Sequence, residues 1–152
     1  HIYQDDTTTE DVKTTLLAVL TTSDLSLIDE FAFVRNSDIE ALYASAGVER
    51  DPTKGTVLVQ VVDAFGALKT PKSGAIVSTL GSAQIAYASG GSWLLGDGQT
   101  DTSGMAALVN AEAEDFPGKS IPVHMESGGL PYDFTAPVET DSVSILTFYT
   151  SF

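Results

Sequence analysis

Two histidines are the sharpest chemical feature of this sequence, and one of them is the first residue. His1 offers a free α-amine and an imidazole, and His124 offers a second imidazole. Nitrogen ligands of this kind suit Cu(II), which an amino-terminal histidine and one further histidine can hold in a T-shaped set. The local pattern favours a plainer reading. In Ile121-Pro122-Val123-His124-Met125 the apolar residues alternate with His124, so in a strand its ring points away from the core face. His124 is then a surface histidine and His1 marks a processing site, with copper as the rival. Acidic side chains gather at Asp5, Asp6, Glu10 and Asp11, at Asp97 and Asp101, and at Glu112, Glu114 and Asp115. Calcium takes about six to eight oxygens, and the loop Gly96-Asp97-Gly98-Gln99-Thr100-Asp101 could supply several, although its spacing is not that of an EF-hand. A solvated turn in which Asp accepts nearby amides competes with that reading. Paired carboxylates could cleave a glycosidic bond, yet sequence spacing places no two of them across a substrate.

Other catalytic templates are missing. The sequence has no Gly-x-Ser-x-Gly elbow, no His-Glu-x-x-His, no Walker loop and no dinucleotide fingerprint. It has no cysteine, which removes disulfide frameworks, thiolate metal sites and thiol nucleophiles. The 152 residues carry 21 acidic against 7 basic side chains, for a formal charge of -14. Phosphate neutralisation needs clustered Lys and Arg, so nucleic acid is not an expected partner. An anionic membrane surface is disfavoured for the same reason, and no apolar run approaches the roughly 18 to 20 residues that span a bilayer, so insertion is not expected. A chain of this size buries about 70% of its unfolded surface and can be stable without metal or crosslink. Because His1 is not an initiator methionine, signal-peptide removal and an exported mature protein, secreted or at the cell surface, are expected.

The elements that must position these residues are mostly strands. Segment 12–20, Val12 to Leu20, can be a short helix, since Val12, Leu16 and Leu20 recur every four residues, or a strand buried on both faces. The Thr-rich flanks and β-branched content favour the strand. Leu25 to Val34 reads as a further strand. Ser37 to Gly47 reads as a helix near 38–46, with Ser37 as cap, Glu40 closing the box, Gly47 as stop, and Ile39, Leu42, Tyr43 and Ala46 on one stripe. Beyond Asp51-Pro52 the period becomes two. Val57, Val59 and Val61 share one face of a half-buried strand, further strands follow near 75–80, 105–111 and 121–126, and the stretch 88–98 reads as a long hairpin or loop. The expected organisation is an N-terminal segment, 1–50, packed on a β-sandwich formed by 51–152.

The turn residues of the second part carry a resemblance. Gly55-Thr56-Val57, Asp63-Ala64-Phe65-Gly66, Pro71-Lys72-Ser73-Gly74-Ala75, Thr100-Asp101-Thr102-Ser103-Gly104 and Phe116-Pro117-Gly118 together resemble the carboxypeptidase regulatory-like, transthyretin-type domain. The likeness spans about residues 55–126. It implies an antiparallel, immunoglobulin-like β-sandwich found in extracellular or periplasmic modules that are usually non-catalytic and support adhesion, carbohydrate or protein contact, or surface assembly. The insertion between Thr79 and Gln99 and the helix-bearing N-terminal segment depart from that pattern. The histidine brace of lytic polysaccharide monooxygenases is matched in the first residue and the histidine count alone.

Two features then point at contacts. In the last strand Val143, Ile145 and Tyr149 lie on one face and Leu146, Phe148 and Phe152 on the other. Such a strand is either central and covered by the N-terminal segment, or an edge that pairs with a neighbouring copy. In the second case Leu146, Phe148, Tyr149 and Phe152 are self-association residues, and a chain lacking Leu146 to Phe152 should remain a folded monomer. Trp93, with Tyr87 nearby, is either a binding anchor for a protein or polysaccharide or a buried ring. The expected function is structural or adhesive and without catalysis, through self-association or partner contact, in the sharper case as a subunit of a surface filament. No cofactor is required; calcium at Asp97 and Asp101 or copper at His1 and His124 are the alternatives.

Overall fold

The computed structural model describes residues 15–19, 34–65, 68–112 and 119–150. Expectations at His1, Asp5 to Asp11, Leu25 to Phe33, Glu114, Asp115, Phe116 to Gly118 and Phe152 lie outside these residues. Among the described residues the chain forms β1 (Thr15–Val19), α1 (Asn36–Ala46), β2 (Gly55–Phe65), β3 (Leu68–Pro71), β4 (Ile76–Ser78), β5 (Gln84–Ser89), β6 (Ser92–Leu95), β7 (Met105–Ala111), β8 (Ser120–Ser127), β9 (Leu130–Pro137) and β10 (Val143–Tyr149). The larger sheet runs β1-β10-β2-β7-β5-β6, with β3 on the far end of β2, and the smaller runs β4-β8-β9.

Among the described residues the protein is mostly β, a sandwich with one short helix. Strand alternation builds its two interiors. Val57, Val59 and Val61 of β2, Leu108 of β7, and Leu146 and Phe148 of β10 face Ile121, Val123 and Met125 of the smaller sheet. Phe148 meets Phe134 edge-on, ring centroids 4.2 Å apart. Full burial of such side chains is worth about 1.5–3 kcal/mol each. The intervening residues are not solvated: Leu58, Ala107, Val109, Val143 and Ile145 pack under Ile39, Leu42 and Tyr43 of α1. The half-buried strand expected at Val57 to Val61 is therefore a central one covered on both faces.

Tyr43 fixes the helix to the sheet through a β-bulge. The β2–β7 register slips between Gly55 and Val57, and Asn110 takes φ 52° there. The freed Asn110 N–H donates to the Tyr43 hydroxyl at 2.9 Å, and that hydroxyl lies 3.0 Å from Thr56 Oγ1. Asn110 also holds the chain after the helix, accepting from the Asp51 amide and donating to the Glu49 carbonyl. A bulge next to a helix contact thus turns an unpaired amide into an anchor. Gly104 sits at another exception. Its φ is +69°, and a Cβ there would lie 2.4 Å from the Val61 carbonyl, where β2 exchanges β3 for β7 as its neighbour.

The helix start and the strand pairing refine the sequence reading. The helix begins at Asn36 after an extended Arg35, and Asp38 rather than Glu40 accepts the Arg35 amide; Gly47 ends it in the left-handed conformation as expected. Segment 15–19 is a strand. It pairs parallel with β10, and β10 pairs parallel with β2, so the antiparallel sandwich contains one parallel corner. β10 lies inside its sheet between β1 and β2, the covered alternative of the two stated above. Leu146 and Phe148, both 2% exposed, are core residues and not a contact surface.

Phe148→Ala should lower unfolding stability by about 3–5 kcal/mol, the usual cost of emptying a buried aromatic site, as read by urea denaturation. A chain ending at Ile145 should fail to fold. A cooperative, folded monomer from that truncation would contradict the central placement of β10.

Candidate functional site

Sheet edges carry unpaired backbone groups and are where a sandwich can accept another chain. In this fold the edges are treated very differently. On β4 the guard is Tyr87. Its hydroxyl donates to the Val77 carbonyl and accepts from the Val77 amide, both at 2.8 Å. The phenol thereby occupies both groups that Val77 would offer an incoming strand. Ala75, two residues earlier, is likewise closed by Thr100, whose Oγ1 accepts the Ala75 amide and whose own amide donates to the Ala75 carbonyl. Burial pushes the Tyr87 phenol above its ordinary pKa, and the Asp97 carboxylate adds to the rise; the neutral donor is retained.

On β9 the guard is covalent. Gly128 and Gly129, both at positive φ, form a two-residue turn, and the flanking pair Ser127–Leu130 is the hydrogen-bonded one. Alternation then turns residues 131, 133, 135 and 137 outward. Two of these are Pro131 and Pro137, which have no N–H to offer, and a third is the charged Asp133. On β6 the guard is the helix, where Ser45 Oγ accepts the Trp93 amide at 3.1 Å.

Between β4 and the β5–β6 hairpin runs an open groove of about 630 Å³, lined by Ile76, Val77, Ile85, Tyr87, Leu95 and Asp97 among others. Ile76 is 48% and Leu95 44% exposed. Apolar side chains dominate its walls.

The residues singled out from sequence fall in separate places. Tyr87 is a largely buried edge lock whose ring also forms part of the groove wall. Trp93 is half-buried against the α1-side core in β6, and Leu94 and Leu95 beside it are exposed. Tyr149 is half-exposed, with the Lys69 ammonium 5.8 Å from its ring centre. Asp97 lines the groove. Asp101 forms an Asx turn: Oδ1 accepts the Ser103 amide at 2.8 Å and the Ser103 hydroxyl at 2.6 Å, while Oδ2 accepts the Gly90 amide. The Ser103 bonds hold its pKa below the ordinary aspartate value, and Thr53 does the same for Asp51. Among the described residues no three His, Asp or Glu side chains gather as a metal-binding group.

His124 faces outward, as its alternation predicts, and has a neighbour the sequence did not reveal. Register places Ser78, His124 and Asp133 side by side on β4, β8 and β9. His124 Nδ1 lies 2.7 Å from Asp133 Oδ1. The order of types is that of a nucleophilic triad. However, the Asp133 carboxylate is 85% and the ring 41% exposed, and the row lies on an open sheet face. Val77 gives its backbone groups to Tyr87, so Ser78 and His124 are the ladder-bonded pair. Their amides are unavailable to stabilise an oxyanion, the donors such chemistry depends on. The row has the acid–imidazole half of a triad on an unenclosed surface.

Comparison with known proteins adds no identification: no family model matches the chain, and no curated protein matches it.

Two measurements check this geometry. Tyr87→Phe leaves a buried amide and carbonyl on Val77 without partners and should cost about 1–3 kcal/mol, with faster hydrogen exchange at the Val77 amide; unchanged protection there would refute the lock. Asp101 has a folded pKa below its unfolded one, so its contribution to stability is present above the ordinary aspartate value and is lost as pH falls through the folded value. Asp101→Asn should flatten that acid limb in a stability–pH profile.

Proposed function

We propose that the protein is a non-catalytic structural or adhesive subunit, working outside the cell through contact with copies of itself, in the sharper form as the repeating unit of a surface filament. The observation that carries this reading is the composition of the β1–β10 corner. A terminal strand apolar on both faces is completed along one edge by a short strand from the opposite end of the chain, while β4, β6 and β9 carry devices that discourage casual pairing. Guarded edges beside one separable strand accord with assembly at a chosen place. The net charge of -14 opposes association of free subunits in solution and keeps them dispersed. The extracellular setting rests on the resemblance over residues 55–126 to modules of that kind.

A second reading has its own observation in the groove beside β4. Its exposed Ile76 and Leu95 and its carboxylate at Asp97 would suit an extended apolar segment bearing a cationic group, which makes a binding module the alternative.

Sedimentation and electron microscopy separate the two. Self-association should rise with protein concentration and also with salt, because screening shortens the reach of acidic repulsion to about 8 Å at 0.15 M. A protein that stays monomeric at all concentrations and salts, yet saturably binds a ligand and loses that binding in Leu95→Asp, would favour the groove and end the assembly reading.

A further inference from the structure

We infer that β1 is an exchangeable strand, and that the partner seated on the β10 edge in the assembled protein is β1 of a second copy of this chain. The inference rests on the self-association reading and names the surface that reading uses.

Four observations bring the structure to this point. First, the β1–β10 ladder is a run of parallel pairs, Thr15↔Val143 to Val19↔Thr147. β10 meets β2 on its other side over Val143↔Thr56 to Tyr149↔Val62. Without β1, a strand buried on both faces would present its backbone groups at an edge, and the sheet is incomplete without that strand.

Second, among the described elements β1 is hydrogen-bonded to β10 alone. β1 is a terminal member of its sheet, and its removal breaks one ladder.

Third, the chain between β1 and the first residue of the helical layer is long. Residues 20–33 separate Val19 from Val34. Fourteen residues can span roughly 46–50 Å, whereas a compact chain of 152 residues has a radius of gyration of about 15 Å. The same length that lets β1 return to its own β10 lets it reach that of a neighbour.

Fourth, strand addition is opposed at three other edges. Addition at β4 must displace the Tyr87 hydroxyl and the Thr100 pairings. Addition at β9 meets Pro131, Asp133 and Pro137. Addition at β6 meets Ser45 of the helix. Exchange of β1 needs no new contact: the ladder formed between copies is the one already present within a copy, and concentration together with the tether decides which is populated. Each copy donates one β1 and accepts one, so a head-to-tail exchange can propagate into a chain of subunits.

The sequence has no cysteine, which makes a direct test clean. Val19 and Thr147 are register partners, and neighbouring strands lie about 4.8 Å apart, inside the roughly 4.4–6.8 Å window for a disulfide. The full chain carrying Val19→Cys and Thr147→Cys is oxidised before and after assembly and run on a non-reducing gel. Two single variants, Val19→Cys and Thr147→Cys, are also mixed, assembled and oxidised. Leu17→Cys with Ile145→Cys supplies a second pair should the first alter assembly, which sedimentation of the reduced protein reports.

The expected result is a closed monomer from dilute protein, a covalent ladder from the assembled fraction, and a 19-to-147 linked heterodimer from the mixture, identified by peptide mass. Assembly in which every 19–147 disulfide stays within one chain would overturn the exchange and leave self-association standing through another surface. No assembly at any concentration or salt would overturn both.

Discussion

Completion of β10 is the constraint on which the rest of this structure depends. A strand with Val143 and Ile145 on one face and Leu146 and Phe148 on the other cannot face water on either side. Each face needs a packed layer, and each edge needs a partner for its amides and carbonyls. The helix supplies one layer, the smaller sheet the other, β2 one edge and β1 the second. The amphipathic helix, the long β2 and the N-terminal strand are thus solutions to one problem. Ser144 shows how closely it is solved: fully buried, it gives its hydroxyl to the Pro137 carbonyl and links the central strand to the far sheet.

Side-chain hydroxyls do much of the work that backbone does elsewhere. Tyr43 takes up the amide released by the β7 bulge, Tyr87 closes the β4 edge, and Thr100 closes it two residues earlier. Each replaces a missing strand or a missing ladder bond with one neutral donor–acceptor group. A buried phenol satisfies both a C=O and an N–H without bringing a charge into the interior. That choice matters in a chain this acidic, where carboxylates are kept at turns such as Asp51 and Asp101 and out of the two cores.

Much of this organisation is legible in the sequence because it is written in periodicity. The Ile39, Leu42, Tyr43 stripe, the Gly47 stop, the strand at Met105 to Ala111 and the outward His124 all follow from spacing. Strand β9 is not legible: Pro131, Asp133 and Pro137 read as breakers, and only its position at a sheet edge makes them compatible with a strand. The turn at Gly90 and Gly91, both at positive φ, closes the β5–β6 hairpin, but sequence alone does not separate it from a loop. Site residues fare worse. Sequence leaves Trp93, with Tyr87 nearby, open between anchor and buried ring until the fold brings Val77 and Ser45 against them, and the Ser78, His124, Asp133 row exists because two registers align residues distant along the chain. Pairing across strands is long-range information that residue types do not carry.

The two-sided C-terminal strand illustrates how far a sequence can narrow a question before structure must decide it. Its composition allows either a covered centre or an exposed contact, and the side chains are in the covered centre. Its faces are covered by the helix and the smaller sheet, and its outer edge is closed by β1, which is joined to the rest of the described fold across residues 20–33. Packing of the faces is therefore internal to the subunit, while the edge is closed by a separate strand, paired from Thr15↔Val143 to Val19↔Thr147. The two alternatives drawn from the sequence become two levels of one arrangement. Faces of β10 belong to the interior of a single subunit, and the contact between subunits, if this protein builds one, is a backbone ladder along its edge.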